Sequence, residues 1–146
     1  MEPKIEFKNI WLDDHMFELE IMVFSETSKF TTKVYVGYPN IEKIFEELDV
    51  FKTHKHGGLY DMTFGEFGPE YGSGAFTIRF HFQQNGKLNL TIKLQTEYYS
   101  FGKKEIADEA TMHLKTEPAL LDNFVSAIKS ISKDVGNEIE LSCIPQ

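Results

Sequence analysis

A hairpin pattern in the middle of the chain is the feature that most constrains the fold. Residues 76–82 and 88–94 each carry an apolar side chain at every second position, which is the period of a strand with one buried face. Asn85-Gly86 lies between them, and this dipeptide is typical of a tight type I′ turn. We therefore predict an antiparallel hairpin with an apolar inner face. Its inner-face residues are Phe76, Ile78, Phe80, Phe82, Leu88, Leu90, Ile92 and Leu94.

Three further strands are predicted before this hairpin. At the start of residues 4–12, the apolar Ile5 and Phe7 alternate with polar residues, and residues 10–12 are all apolar. Residues 17–23 alternate with glutamates on the outward side, and residues 30–38 are rich in β-branched side chains. Short polar turns join the three segments, so we expect an antiparallel meander.

Two more strands are predicted after the hairpin. Residues 103–115 alternate along most of their length, although residues 107–110 have helical propensity, and we favour a strand that closes the meander. Residues 138–144 are compatible with a short final strand.

Two segments have the helical period instead. Asn40 is a candidate cap for a helix whose apolar residues recur every three or four positions as far as Phe51. The run Thr116-Glu117-Pro118 is typical of a second helix start, with Thr116 as the cap and Pro118 in the first turn. The predicted order is βββ-α-βββ-α with a possible last strand. We therefore expect a single α+β domain over residues 1–146, with a mainly antiparallel sheet of about six strands and two helices packed on one face.

Charge and composition narrow the kinds of partner that we expect. The chain carries a formal net charge of −8, and residues 1–74 hold fourteen acids against seven bases. Nucleic-acid phosphates are bound through Lys and Arg, so we expect no nucleic-acid partner and instead a basic protein partner. Solubility is the alternative explanation of this charge. No apolar run approaches the roughly 18 residues that span a bilayer, and the single cysteine fits a reducing compartment, so we expect a cytoplasmic protein without membrane contact.

The residues that commonly support catalysis or metal binding do not form a recognisable motif. His54 and His56 could supply two metal ligands, but a structural zinc site normally needs four. His81 and His113 fall on the outward positions of predicted strands, where an acid/base pair is conceivable and ordinary surface histidines are commonplace. Cys143 has no activating neighbour in the sequence. We therefore predict no catalytic residue, no metal and no cofactor.

A glycine-rich and aromatic segment is the candidate binding site. Residues 53–74 hold six of the ten glycines and follow no regular period, although residues 59–64 could form an irregular strand at a sheet edge. Loops of this length inside compact domains are usually functional or mobile, and buried Tyr and Phe contribute much of the energy of protein interfaces. The alternative is that Phe64 and Phe67 only anchor the loop under the sheet. The predicted partner-binding residues are Tyr60, Asp61, Phe64, Glu66, Phe67, Glu70 and Tyr71.

The chain resembles small bacterial proteins of the immunity type, which neutralise secreted polymorphic toxins. The resemblance lies in the run Phe64-Gly65-Glu66-Phe67-Gly68, the Asn85-Gly86 hairpin and the Thr116-Glu117-Pro118 helix start, together with the acidic charge. It implies a stoichiometric protein binder without catalysis. Two alternatives stay open: a small-molecule-binding domain or small enzyme with a pocket between sheet and helices, and an acidic dimer similar to secretion chaperones. The sequence does not fix the oligomeric state.

Overall fold

Ten strands and two α-helices are found in the residues that the computed structural model describes, which are 1–54, 57–69 and 72–145. The strands are β1 (Lys4–Leu12), β2 (Met16–Phe24), β3 (Lys29–Gly37), β4 (Leu59–Phe64), β5 (Ala75–Phe82), β6 (Leu88–Gln95), β7 (Tyr99–Phe101), β8 (Lys104–Ile106), β9 (Glu109–Thr116) and β10 (Glu138–Ser142). The helices are α1 (Tyr38–Phe51) and α2 (Pro118–Ala127), and a 3₁₀ helix (Ile128–Ser132) directly follows α2.

The strands form two four-stranded antiparallel sheets and a small ribbon. The first sheet has the order β10-β1-β2-β3 and the second has the order β4-β5-β6-β9, while β7 and β8 pair only with each other. The α+β class is confirmed. The prediction of one sheet of about six strands was wrong, because α1 and the glycine-rich segment carry the chain from β3 into a new meander. Each sheet has a single apolar face, and the two inner faces are buried in one shared core.

Both helices belong to this shared core and do not pack on one face of a single sheet. The ring of Phe124 from α2 lies 5.4 Å from that of Phe7 in β1, and Phe7 in turn meets Phe76 of β5 edge-to-face at 5.8 Å. At the other end, Phe51 of α1 stacks on Phe82 of β5 at 5.1 Å. Aromatic contacts therefore join both sheets and both helices.

The central hairpin is confirmed, with every predicted inner-face residue buried, but its turn differs from the prediction. The N–H of Gly86 donates to the carbonyl of Gln83 at 2.9 Å, and the N–H of Gln83 donates to the carbonyl of Lys87 at 2.8 Å. Gly86 has a φ of 81°, whereas Asn85 has no positive φ. A three-residue loop with one left-handed residue results. Only Gly86 adopts the left-handed conformation, which is costly for a residue with a side chain. The side-chain Oδ1 of Asn85 instead accepts a hydrogen bond from the N–H of Lys87 at 3.0 Å.

The element boundaries differ from the prediction in three places. Helix α1 is capped at Gly37 and begins before the predicted cap Asn40, with proline in its first turn. The second helix is capped by Glu117. Thr116, the predicted cap, instead donates its hydroxyl to the carbonyl of Ser142 at 2.7 Å and joins β9 to β10. The strand predicted over residues 103–115 is divided, since β8 pairs with β7 and only β9 joins the second sheet.

The predicted final strand is present as β10 and connects the two sheets. It pairs with β1 along five residues. Beyond β10, the N–H of Ile144 donates to the carbonyl of Lys115 in β9 at 2.8 Å. The C-terminal segment therefore holds an edge of each sheet, which fixes the two sheets relative to each other.

Candidate functional site

The predicted binding residues on β4 point to opposite sides of the second sheet. Phe64 is fully buried and stacks on Phe76 at a ring separation of 6.1 Å. The Tyr60 ring also lies on the inner side, 5.8 Å from Phe51, and its hydroxyl donates to Glu47 of α1 at 3.0 Å. Burial, together with the hydrogen bond to Glu47, raises the pKa of Tyr60. Tyr60 therefore joins α1 to the edge of the second sheet.

Asp61 lies on the outer side of the same strand. Its two carboxylate oxygens accept hydrogen bonds from Nε and Nη2 of Arg79 at 2.8 and 2.9 Å. The two residues are direct cross-strand partners in the register of β4 and β5. The hydrogen bonds from Arg79 lower the pKa of Asp61. Both side chains are about half exposed, so solvent screens the pair and its contribution to stability is small.

The remaining predicted residues follow β4. Phe67 is 40% exposed and lines a shallow depression with Pro69 and Tyr98. Glu66 is exposed beside it. Glu70 and Tyr71 lie outside the described residues. The five described members of the predicted set are therefore divided between the core, the outer face of the second sheet and the loop after β4, and they do not form one surface.

Two glycines of this segment are required by close packing between the sheets. A Cβ atom on Gly74 would overlap the carbonyl oxygen of Lys33 in β3, and one on Gly65 would overlap the carbonyl oxygen of Gly74. Gly65 also has a φ of 71°, which a residue with a side chain rarely adopts. Part of the glycine content of residues 53–74 is thus explained by the approach of the β3 and β5 backbones.

A different cluster of exposed aromatic side chains lies on the outer face of the first sheet. The pairing of β1 with β2 passes from Asn9↔Leu19 to Trp11↔Glu18, so residue 10 is an extra residue and forms a β-bulge. In β1, Ile5, Phe7 and Asn9 alternate inward, and without the bulge Trp11 would follow them into the core. The bulge instead turns Trp11 to the outer face, where it is 41% exposed.

Asn9 holds the bulge in place. Its side-chain Nδ2 donates to the carbonyl of Ile131 at 2.9 Å, and its Oδ1 accepts the N–H of Trp11 at 3.1 Å. Its backbone N–H and carbonyl are bonded to Asn137 and Gly136 at 2.9 and 2.8 Å. Asn9 is fully buried. The bulge is therefore attached on its inner side to the segment that precedes β10.

We define the Trp11 surface as the exposed residues around this bulge together with the partly exposed Glu18, namely Trp11, Asp14, Met16, Glu18 and Tyr35. The rings of Trp11 and Tyr35 meet edge-to-face at 6.1 Å, and Tyr35 is 49% exposed. Glu18 is the cross-strand partner of both residues in the register, so its carboxylate lies in the same row. Met16, which is 37% exposed, lies two residues before Glu18 in β2 and therefore on the same face of the sheet.

The Trp11 surface is acidic. Its central row contains one carboxylate, and the adjoining turn between β1 and β2 adds Asp13 and Asp14. The negative charge of Glu18 raises the pKa of Tyr35, and Glu97 adds to this effect from beyond β3. A cation that approached the faces of Trp11 and Tyr35 would therefore meet a carboxylate as well as two aromatic rings, a combination that favours Lys or Arg.

The prediction from sequence did not single out these residues. The sequence does contain a signal for them: the apolar–polar alternation of β1 stops at residues 10–12, and Asn9 occupies a position just before these where the alternation calls for a buried apolar residue. A strand that breaks its period in this way indicates a bulge. Trp and Tyr are also the residue types most enriched at the energetic centres of interfaces.

Among the described residues, the histidine and cysteine residues considered for catalysis or metal binding do not form one site. His81 and His113 are both exposed on the outer face of the second sheet, as predicted, but β6 lies between their strands. His56 lies outside the described residues, and within the described part of the chain no three His, Cys, Asp or Glu side chains are placed to hold a metal ion. Burial raises the pKa of the Cys143 thiol to about 12.

The described helices are all too short or too polar to span a bilayer. Comparisons of the chain with protein-family models, curated proteins and solved structures give no match. Any inference about function therefore depends on the surfaces of the protein itself.

Proposed function

We propose that this protein is a non-catalytic binding domain that docks a basic protein partner on the Trp11 surface. The observation that carries the proposal is the exposed Trp11–Tyr35 pair with Glu18 in the same row. Within this class, a bacterial immunity protein that neutralises a basic toxin domain agrees best with the acidic charge and with the resemblance described above. The toxin domain would bind stoichiometrically.

The geometry supports a rigid binding surface. Trp11 and Tyr35 project from paired strands, and the backbone of Trp11 is held by the buried side chain of Asn9. Because strands hold side chains more precisely than loops, little ordering is needed when a partner binds. Trp and Tyr each bury a large area at a small cost in conformational entropy, and they account for many of the strongest contacts in interfaces.

The negative charge of the Trp11 surface favours a basic partner. A Lys or Arg side chain from the partner would stack on the exposed rings and pair with Glu18, while Asp14 attracts further positive charge from the rim. Rim charges act mainly on the rate of association and are screened by salt, whereas the aromatic contacts are not. Binding is therefore expected to weaken as ionic strength rises without being abolished.

The test measures binding of purified basic toxin domains, beginning with any encoded by a gene adjacent to that of this protein. We expect Trp11→Ala and Tyr35→Ala each to weaken binding by about 30-fold, which corresponds to a hot-spot loss of about 2 kcal/mol. Val50→Ala is the matched control, since Val50 is an exposed apolar residue on α1. It should change the affinity less than about threefold.

A second variant separates the Trp11 surface from the segment predicted from sequence. Phe67→Ala removes the exposed ring of the loop after β4 and should behave like the Val50 control. A strong loss of binding in Phe67→Ala with none in Trp11→Ala would place the interface on the loop instead. Failure of every basic domain to bind at low salt would also contradict the proposal.

A further inference from the structure

The outer edge of β4 has free backbone hydrogen-bonding groups in the described part of the chain. The N–H of Phe82 donates to the carbonyl of Gly58 at 2.9 Å, and β4 pairs with β5 in regular antiparallel register from this point. Bonds to a neighbouring strand come from every second residue. The groups that point away from β5 therefore belong to Leu59, Asp61 and Thr63.

This edge lacks most of the usual protection against an added strand, and its one charged side chain, Asp61, is paired with Arg79. Natural edge strands are commonly shortened, bulged or supplied with lysine or proline. Strand β4 has six residues, no lysine, no proline and no shift of register. Leu59 at its start is 56% exposed. The edge is therefore a regular template about 20 Å long, at the usual rise of about 3.3 Å per residue.

Carboxylates flank the edge on both sides of the sheet. Asp61 lies on the outer side, where it pairs with Arg79. On the inner side, Glu47 of α1 lies 3.0 Å from the Tyr60 hydroxyl. Glu66 follows at the end of the strand. The side chains of an added strand would alternate between the two sides, so that every second residue would lie on the inner side, towards Glu47.

We propose that β4 binds an extended basic segment of a partner protein, which adds to the second sheet as a fifth strand. Backbone hydrogen bonds to Leu59, Asp61 and Thr63 would supply affinity, as in other cases of strand addition. Lys or Arg side chains on the inner side, beside Glu47, would supply the preference for a basic sequence, because Asp61 on the outer side is already paired with Arg79. This site lies on the second sheet and does not depend on the Trp11 surface, so either proposal can fail alone.

The test uses a ten-residue peptide of alternating Lys and Val as the probe, with a Glu–Val peptide of equal length as its control. Amide hydrogen exchange is measured by NMR for the full chain. At about 1 mM Lys–Val peptide we expect at least tenfold slower exchange at Leu59, Asp61 and Thr63. The Glu–Val peptide should have no effect. Trp11→Ala should leave the protection by the Lys–Val peptide unchanged.

Backbone methylation of the peptide separates strand addition from simple charge attraction. Methyl groups on the peptide nitrogens that face β4 should abolish the protection. Methyl groups on the nitrogens that face away from β4 should leave the protection unchanged. Equal protection by both methylated peptides, or by the Glu–Val peptide, would overturn the proposal. The proposal would also be overturned if these three amides exchanged slowly in the free protein and sedimentation showed a dimer. In that case a second copy of the chain would cover the edge.

Discussion

At the scale of single residues, Asn9 has the largest effect on the candidate site. It occupies an inward position of β1 where the pattern calls for an apolar side chain, and both of its side-chain polar atoms are hydrogen-bonded. Most buried side-chain amides are hydrogen-bonded in this way, since an unbonded buried polar group costs free energy. Asn9 thereby converts a regular strand into a bulged one, and this local change determines that the only tryptophan faces outward.

Replacement of Asn9 by alanine should be costly because it leaves the carbonyl of Ile131 without its donor and frees the N–H of Trp11. We expect Asn9→Ala to lower the free energy of unfolding by about 2 kcal/mol, measured by urea denaturation. Asn89→Ala is the matched control on the outer face of β6, where the change should stay within about 0.5 kcal/mol. Equal stability of the two variants would show that Asn9 does not hold the bulge.

Cys143 gives a second prediction at this scale. Burial is the main cause that raises the pKa of its thiol to about 12, and only the thiolate reacts with disulfide reagents. At pH 8 we expect its reaction with such a reagent to be at least about 100-fold slower than that of glutathione. The rate should rise about tenfold per pH unit up to pH 10, since the thiolate fraction grows in proportion. A rapid reaction that is constant above pH 8 would contradict the buried, inert thiol.

At the scale of elements, the glycine-rich segment between α1 and β5 packs closely against β3 at Gly74 but not at Gly72. Gly74 lies against β3, where a Cβ atom would overlap the Lys33 carbonyl and approach the Thr32 hydroxyl, while Gly72 has open space around its Cα. The hydroxyl of Thr32 also donates to the carbonyl of Gln95 at 2.7 Å. This contact between β3 and the end of β6 holds the two sheets together on the side opposite β10.

These contacts predict contrasting effects for two glycine substitutions. Gly74→Ala should destabilise the protein by about 3 kcal/mol, because backbone atoms cannot move aside as flexible side chains do. Gly72→Ala should be neutral or slightly stabilising, since it restricts the unfolded chain without a steric cost. Thermal unfolding of the two variants measures the difference. Similar losses of stability in both variants would mean that the overlap with the Lys33 carbonyl does not determine the cost of alanine in this segment.

The elements were predicted from sequence more fully than their assembly. Alternation gave the strands around Phe80 and Ile21 with their correct buried faces, because a period of two follows directly from backbone geometry. The packing of the two sheets against each other includes the non-local contact of Gly74 with β3, which no local pattern encodes. The turn at Gly86 and the bulge at Trp11 were missed for a related reason, since each adds one residue to an otherwise regular period.

The candidate site was less predictable than the fold. Aromatic and acidic residues were recognised around Tyr60, but the strand geometry of β4 alternates them between the core and solvent. Exposure of Trp11 depends on the bulge and on the buried bond from Asn9 to Ile131, which is a contact across 122 residues. The broken period of residues 10–12 indicates a bulge, but the sequence alone does not show that this bulge exposes Trp11.

At the scale of the whole molecule, the acidic first half of the chain contributes two separate regions. One is the Trp11 surface on the outer face of the first sheet, and the other is the edge of β4 beside α1. They lie on different sheets that are joined by the shared core. Carboxylates are present in both regions, and we propose a basic partner for each.

The most direct measurement is a fluorescence titration with a basic toxin domain that contains no tryptophan. Trp11 is the only tryptophan of this protein, so its emission reports on the Trp11 surface alone. We predict that binding shifts the emission to shorter wavelength and protects Trp11 from acrylamide quenching. The apparent dissociation constant should rise about tenfold between 50 and 500 mM salt. Saturable binding that leaves both the emission and the quenching of Trp11 unchanged would contradict the central claim.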